Sequence, residues 1–461
     1  MRKVAVAITS GLLALAVVGA ATLVEHRPPV QAPAPGPPPA TRADLFQTPR
    51  VWNIHLTFTA NDWKMLTPER SGAGGRRDGF LGPEGKRNGI SAMNGLDFAY
   101  VHAALDLNGR RFADTGVRFK GNGTYGVGQA AGKISFKIDL NKFVKGQKLD
   151  GLSTLNLHST ITDASWMNET LAYRLYRDAG VPAPRTAYAQ VFVTVPGRFT
   201  RQNFGLYTLV ENIDSNFAVE RFGVNGGAIF KPVTRAPFND LGTTWDRYNQ
   251  TYDPKTDLTP AEQQRIMEFC ALVTRGSDAA FAARIGEFVD LPSFATYAAV
   301  LVWLANPDSI LYQGQNYYLH LHPKTRRLSF IPWDQDHSFG TYPSGGAYQT
   351  LDIVRPWSGD QRFLDRIFRI EAFRTAYVAE LRRLSKSFFQ PDRFAQQVDA
   401  LAPLLRPFVQ QDPLSEYSGL FESAVAGRSF RRPHYGGTTV PIKPFAAGRT
   451  ASVIEQLGRA R

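Results

Sequence analysis

Apolar residues recur at every second position through the first half of this 461-residue chain and at every third or fourth through most of the second half. That change of period restricts the fold more than any single residue does. The segment Val51-Trp52-Asn53-Ile54-His55-Leu56-Thr57-Phe58 alternates as a half-buried strand does. Residues 100–107 and 112–120 repeat the pattern on either side of Asn108-Gly109, a tight hairpin dipeptide, and residues 134–140 continue it. One helix interrupts the series: Met167, Leu171, Ala172, Leu175, Tyr176 and Ala179 share a stripe, Asp163 stands ahead to cap free amides, and Gly180 ends the run. Strands return at residues 186–195 and 204–211, with Pro196-Gly197 in the connection. Helical spacing then holds over 261–304, broken at Gly276 and Pro292. After a strand-turn-strand at 316–332 it resumes over 363–389, 392–409 and 450–457. This order predicts an α+β fold of two lobes, strand-rich N-terminal and helix-rich C-terminal, with a cleft between them.

The N-terminus predicts export. Arg2 and Lys3 precede an uncharged stretch from Val4 to Val24, and Val18-Gly19-Ala20 offers small residues for cleavage. Its 21 residues also match the length that crosses a bilayer, so residues 1–24 read either as a signal peptide or as a signal anchor tethering the chain to the membrane. Residues 25–48 contain seven prolines between Pro28 and Pro39 and read as an extended spacer. The folded part is then 49–461, with lobes at about 49–230 and 231–461, and 71–89 reads as a long glycine-rich loop. The formal charge of +13 suits an anionic partner, but the Lys and Arg residues are dispersed and no zinc, helix-turn-helix or ribonucleoprotein motif appears, so nucleic acid is not expected. A single cysteine, Cys270, sits among apolar neighbours and reads as core.

Several segments carry candidate chemistry. Lys120-Gly121-Asn122-Gly123-Thr124 follows a strand, and its glycines would let backbone amides approach phosphate oxygens; alternatively it is a plain hairpin turn, since no striped helix follows. Lys133, Ser135 and Lys137 alternate on a strand and so point to one side, toward phosphates or toward water. Glu169, at the edge of the helix stripe, would reach one of these lysines or stay solvated.

The strongest constellation comes later: Asn306-Pro307-Asp308, then Asn316-Tyr317-Tyr318-Leu319, then 330–340 with Asp334 and Asp336 between Trp333 and Phe339. Two carboxylates two positions apart share a face if they lie on a strand, and among aromatic residues a hard cation such as Mg²⁺ offsets their repulsion and lost hydration. A structural carboxylate pair is the alternative. The order of an aspartate, an asparagine eight residues on, and a strand-end aspartate is also how protein kinases arrange a base (Asp308) and metal ligands (Asn316, Asp334).

Gly116 to Asn122, Lys133 to Lys137, Leu155-Asn156-Leu157, Met167 to Pro184, Gly205 to Asp214, Asn316 to Leu319 and Ile331 to Gly340 together resemble the CotH kinase family of bacterial spore-coat and envelope proteins. The resemblance implies an atypical protein-kinase-like fold and an exported, ATP- and Mg²⁺-dependent enzyme acting on Ser or Thr hydroxyls of a protein. By position it implies nucleotide contacts from Lys120, Gly121, Asn122, Gly123, Lys133 or Lys137, Glu169 and the inter-lobe residue Glu211. It further implies Asp308 as base, Asn316 and Asp334 as metal ligands and Asp336 as an auxiliary ligand. Gly123 stands where the family usually has serine, and Pro307 precedes the base. Three other readings remain open at this stage: a non-catalytic envelope or spore-coat module that binds a cation or glycan, a kinase-fold enzyme moving a nucleotidyl or aminoacyl group, and a glycosidase using Asp308 with Asp334.

Overall fold

Seven strands close into a barrel because each has one apolar face to bury and together they leave no open edge. The computed structural model describes residues 36–68, 81–83, 88–342, 348–432 and 437–459. The strands are β1 (Val51–Thr57), β2 (Val101–Leu107), β3 (Arg110–Lys120), β4 (Ser135–Asp139), β5 (Thr154–His158), β6 (Thr186–Val195) and β7 (Phe199–Glu211). They run in the order β1-β2-β3-β4-β5-β7-β6, and β1 closes on β6 in parallel. Alternation sends Val117, Phe119, Phe136, Ile138, Leu155 and Leu157 into the barrel core. The same alternation turns Arg118, Lys120, Lys137, Asn156 and His158 outward. Register then sets Arg118 opposite Lys137, Lys120 opposite Ser135, and Lys137 opposite Asn156.

The second half is helical, as its spacing predicts. Leu291–Leu304 is buried on nearly every side, and Glu371–Ser387, Pro391–Val409 and Ile442–Arg459 also pack into its core. A three-stranded sheet, β8 (Ala228–Phe230), β9 (Tyr317–Leu321) and β10 (Leu328–Pro332), lies in this half in the order β10-β9-β8. The helix Asn168–Asp178 gives its stripe to the helical core, and Asp163 accepts its first amide, Asn168 N–H, at 2.9 Å.

Three sequence expectations need correction. A helix, Thr124–Ala131, follows the glycine-rich turn where none was expected, so this connection is strand-helix-strand rather than a hairpin. Gly121 is required there: its φ is 120°, and a Cβ would lie 2.7 Å from Thr124 Oγ1. Lys133 precedes β4 and turns away from Ser135 and Lys137; it is fully buried, with Nζ 2.6 Å from Asp412 Oδ2 and 5.0 Å from the Trp166 ring. The end of the proline-rich stretch is also laid against the barrel. Asn108 donates to the carbonyl oxygens of Gly36 and Pro37, and Arg42–Gln47 forms a helix capped reciprocally by Thr41 and Asp44.

The stretch Val4 to Val24, the first part of the spacer and most of the 71–89 loop lie outside the described residues. Among the described residues, no helix is long and apolar enough to cross a membrane.

Candidate functional site

The outward face of β3, β4 and β5 meets the end of the β9–β10 hairpin across a cleft of about 820 Å³. Antiparallel pairing of Tyr317 with Pro332 puts the residues just beyond each strand side by side, and Trp333 N–H donates to Asn316 O at 3.2 Å. Asn316 and Asp334 therefore enter the cleft together, both from left-handed backbone, at φ 63° and 53°. Asp334 lies in the irregular stretch between β10 and the turn that begins at Asp336, so the expectation that it shares a strand face with Asp336 does not hold. Asp336 turns into an adjoining chamber of about 360 Å³, where its Oδ2 accepts from Thr162 Oγ1 at 2.5 Å. Burial pushes the Asp336 carboxyl up to about 7.

Asp308 and Asn316 come together as their order suggested. Asn316 Nδ2 donates to the Asp308 carbonyl oxygen at 2.8 Å and to its Oδ2 at 2.9 Å, while Gln315 Nε2 donates to Oδ1 at 3.1 Å. Burial raises the Asp308 carboxyl above its ordinary value, against the pull of His337 and of these two amides. With its amide nitrogen committed to Asp308, Asn316 keeps Oδ1 as a ligand-bearing end.

Of the expected nucleotide contacts, Lys120, Gly121, Asn122 and Lys137 line the cleft. Gly123 lies instead beside Tyr125 in a neighbouring pocket. Lys133 is the buried partner of Asp412 and lines neither chamber. Glu211 is likewise structural: its fully buried carboxylate accepts from Arg185 at 2.5 Å and Arg221 at 3.1 Å, which saturates it with cations away from the cleft lining.

Glu169 is buried and pairs with a histidine. Its Oε2 is 2.7 Å from His158 Nδ1, and Lys120 Nζ contacts the ring's other nitrogen, Nε2. An ammonium only donates, so Nε2 accepts and Nδ1 carries the proton given to Glu169. His158 Nδ1, Glu169 and Asp334 bring ligand atoms within 4.8 Å of one another, but that hydrogen bonding occupies both ring nitrogens. The oxygens of Asn316 and Asp334 are the better fit for a hard cation. Burial alone would raise the Asp334 carboxyl; the ammonium groups of Lys120 and Lys231 act against it, and the carboxyl lies below the ordinary range.

The sequence reading missed His158, Arg118, Lys231 and Lys255, all of which line these chambers. Alternation from Asn156 was a usable signal for His158. Lys231 and Lys255 lie in loops with no such period. Lys231 Nζ stands 5.4 Å over the Trp333 ring, and Lys120 Nζ 5.2 Å from it.

Residues 117–429 match the family model described as CotH kinase protein. The inner spore coat protein H of Bacillus subtilis (strain 168) is 24% identical over 318 residues, covering 68% of this chain and 82% of that protein. A chain of the Shewanella oneidensis MR-1 toxin–antitoxin complex of HipA, HipB and operator DNA aligns with a TM-score of 0.31 at 15% identity. It covers 70% of this chain, which spans 64% of that one, less than two thirds.

Proposed function

The chain belongs to the CotH kinase protein family, and we propose that it is an exported protein kinase that moves the terminal phosphoryl group of ATP or another nucleotide to a Ser or Thr hydroxyl of a protein with Mg²⁺. The observation that carries this reading is the convergence of Asp308, Asn316 and Asp334, with Asn316 bonded to Asp308 at 2.9 Å and beside the stretch that carries Asp334. In the reaction, the acceptor oxygen forms a bond to phosphorus, the bond from phosphorus to the nucleotide's bridging oxygen breaks, and Asp308 takes the hydroxyl proton. Gln315 and Asn316 fix the orientation of that carboxylate. Lys120, Lys137 and Lys231 line the cleft and would face the phosphate oxygens, and Gly121 would let backbone approach them. Asn316 Oδ1 and Asp334 would hold Mg²⁺, which when bound offsets phosphate charge. Export is supported by the stretch Val4 to Val24 and by the coat location in the name of the Bacillus relative.

The test uses the full chain with γ-labelled ATP, Mg²⁺ and a mixture of Ser- and Thr-containing protein substrates. Label should move to protein, and Asp308→Asn and Asp334→Asn should each abolish the transfer. Wild-type transfer by either variant overturns the assignment, and transfer of an α-phosphate label would point to nucleotidyl transfer instead.

A further inference from the structure

Outward positions on β3 are Gly116, Arg118 and Lys120, and they continue past the nucleotide cleft. Gly116 has no side chain, and the stem of Lys142 crosses its place: a Cβ at Gly116 would sit 2.5 Å from Lys142 Cβ. Lys142 Nζ then stands 5.2 Å from the Tyr100 ring, and the Arg118 guanidinium 5.3 Å from the same ring. Arg118 in turn lies directly opposite Lys137, and both line the cleft with Lys255, which is paired with Asp253 at 2.5 Å. Like charges set opposite each other across a sheet cost stability. Burial, then Arg118, Lys255 and Lys120, push the Lys137 ammonium down to about 7, and Asp139 opposes them.

Beyond Lys142 the β4–β5 connection carries exposed Lys145 and Lys148 around Phe143 and Val144, which are 36% and 40% exposed. Gln147 Nε2 fixes this tip by donating to Asp114 O and Leu140 O, each at 2.8 Å. The result is a cationic row with aromatic surfaces that starts at an ordered tip and ends inside the cleft. A nucleotide triphosphate accounts for the cleft end alone. A row that turns into a cleft suits one extended chain rather than a flat bilayer.

We propose that this row docks an acidic polypeptide segment of the acceptor protein, held from Lys148, Lys145 and Lys142 to Arg118, where the row reaches the cleft. The term acceptor rests on the kinase reading above, but the docking does not. The experiment therefore reads binding with neither nucleotide nor metal. A fluorescent peptide with one serine among Asp and Glu residues, and a counterpart with Lys in their place, are titrated against the full chain by anisotropy. The acidic peptide should bind about tenfold tighter or more, and the Lys142→Glu, Lys145→Glu, Lys148→Glu variant should lose about tenfold for it. That variant should keep its affinity for a fluorescent ATP analogue. Equal binding of the two peptides, or undiminished binding by the variant, overturns the proposal. So does saturable binding of phosphatidylglycerol vesicles that the acidic peptide fails to displace. Failure of phosphoryl transfer would leave these binding results standing, and failure here would leave transfer standing.

Discussion

His158 donates from Nδ1 to Glu169 at 2.7 Å and with its opposite nitrogen receives Lys120, so the imidazole joins the β3 lysine to the helix glutamate. A direct lysine–glutamate pair would need both side chains to reach across the chamber. The ring spans it and holds the Lys120 ammonium. Burial keeps His158 neutral and pushes the Glu169 carboxyl up to about 8.

Replacing His158 by Ala should leave Glu169 Oε2 buried without its donor, with Gln335 N–H still donating to Oε1, which costs about 1–3 kcal/mol of stability. It should also weaken nucleotide binding, because Lys120 loses its anchor. His158→Gln keeps an amide that can both donate and accept, so it should recover most of each loss. Urea unfolding and titration with an ATP analogue check this; equal behaviour of the Ala and Gln variants would show that the bridge does not matter.

The Lys133–Asp412 pair predicts a separation of stability from function. Lys133→Met strands a buried carboxylate and should cost about 3–5 kcal/mol, whereas Lys133→Met with Asp412→Leu should recover much of it. Asp412 also accepts Leu206 N–H at 2.7 Å, so recovery stays incomplete. Denaturant midpoints measure both effects. Nucleotide affinity of the folded variants should match the parent, since neither residue lines the cleft.

Much of this was legible in the residues because alternation and helical spacing report burial directly. The β-rich first half, the striped helix at Asn168–Asp178 and the pairing of Asp308 with Asn316 all followed from order and period. What escaped depends on long-range packing. Lys133 stands two positions ahead of its strand, and only Asp412, 279 positions away, decides that it is buried. Glu211 was placed correctly at the end of β7, but the arginines around it come from other elements. The helix Thr124–Ala131 has three small residues and two glycines, so neither propensity nor a stripe announces it; close contact with the Lys133 backbone holds it, since a Cβ on Gly128 would lie 2.6 Å from Lys133 O.

At Gly121 the expected cost is conformational. Gly121→Ala must place an L side chain at φ 120° and a Cβ against Thr124, so about 1–3 kcal/mol of stability should be lost. ATP affinity should fall more than this loss explains, because the turn lines both chambers. Gly109→Ala is the control: it too has positive φ, at 97°, but nothing lies within 4 Å of its Cβ and it is remote from the cleft lining. An equal effect on ATP affinity at both positions would refute the local role of Gly121.

The cation row makes a pH prediction whose sign follows from Lys137. Its folded value is lowered from 10.5 to about 7 by burial and by Arg118, Lys255 and Lys120. Between pH 7 and 10.5 the unfolded chain therefore binds the proton more readily than the folded one, and stability from this group rises with pH. Below 7 the full penalty of a buried, charged ammonium applies. Lys137→Met should accordingly stabilise the protein by about 1–3 kcal/mol at pH 7, and the gain should shrink toward zero near pH 10. An anion seated between Arg118 and Lys137 raises the folded value, so inorganic phosphate should stabilise the parent at pH 7 and have a smaller effect on Lys137→Met. Unfolding midpoints across pH 6.5 to 10, with and without phosphate, decide it: a gain that stays constant with pH would mean that lost packing, not charge, governs this position.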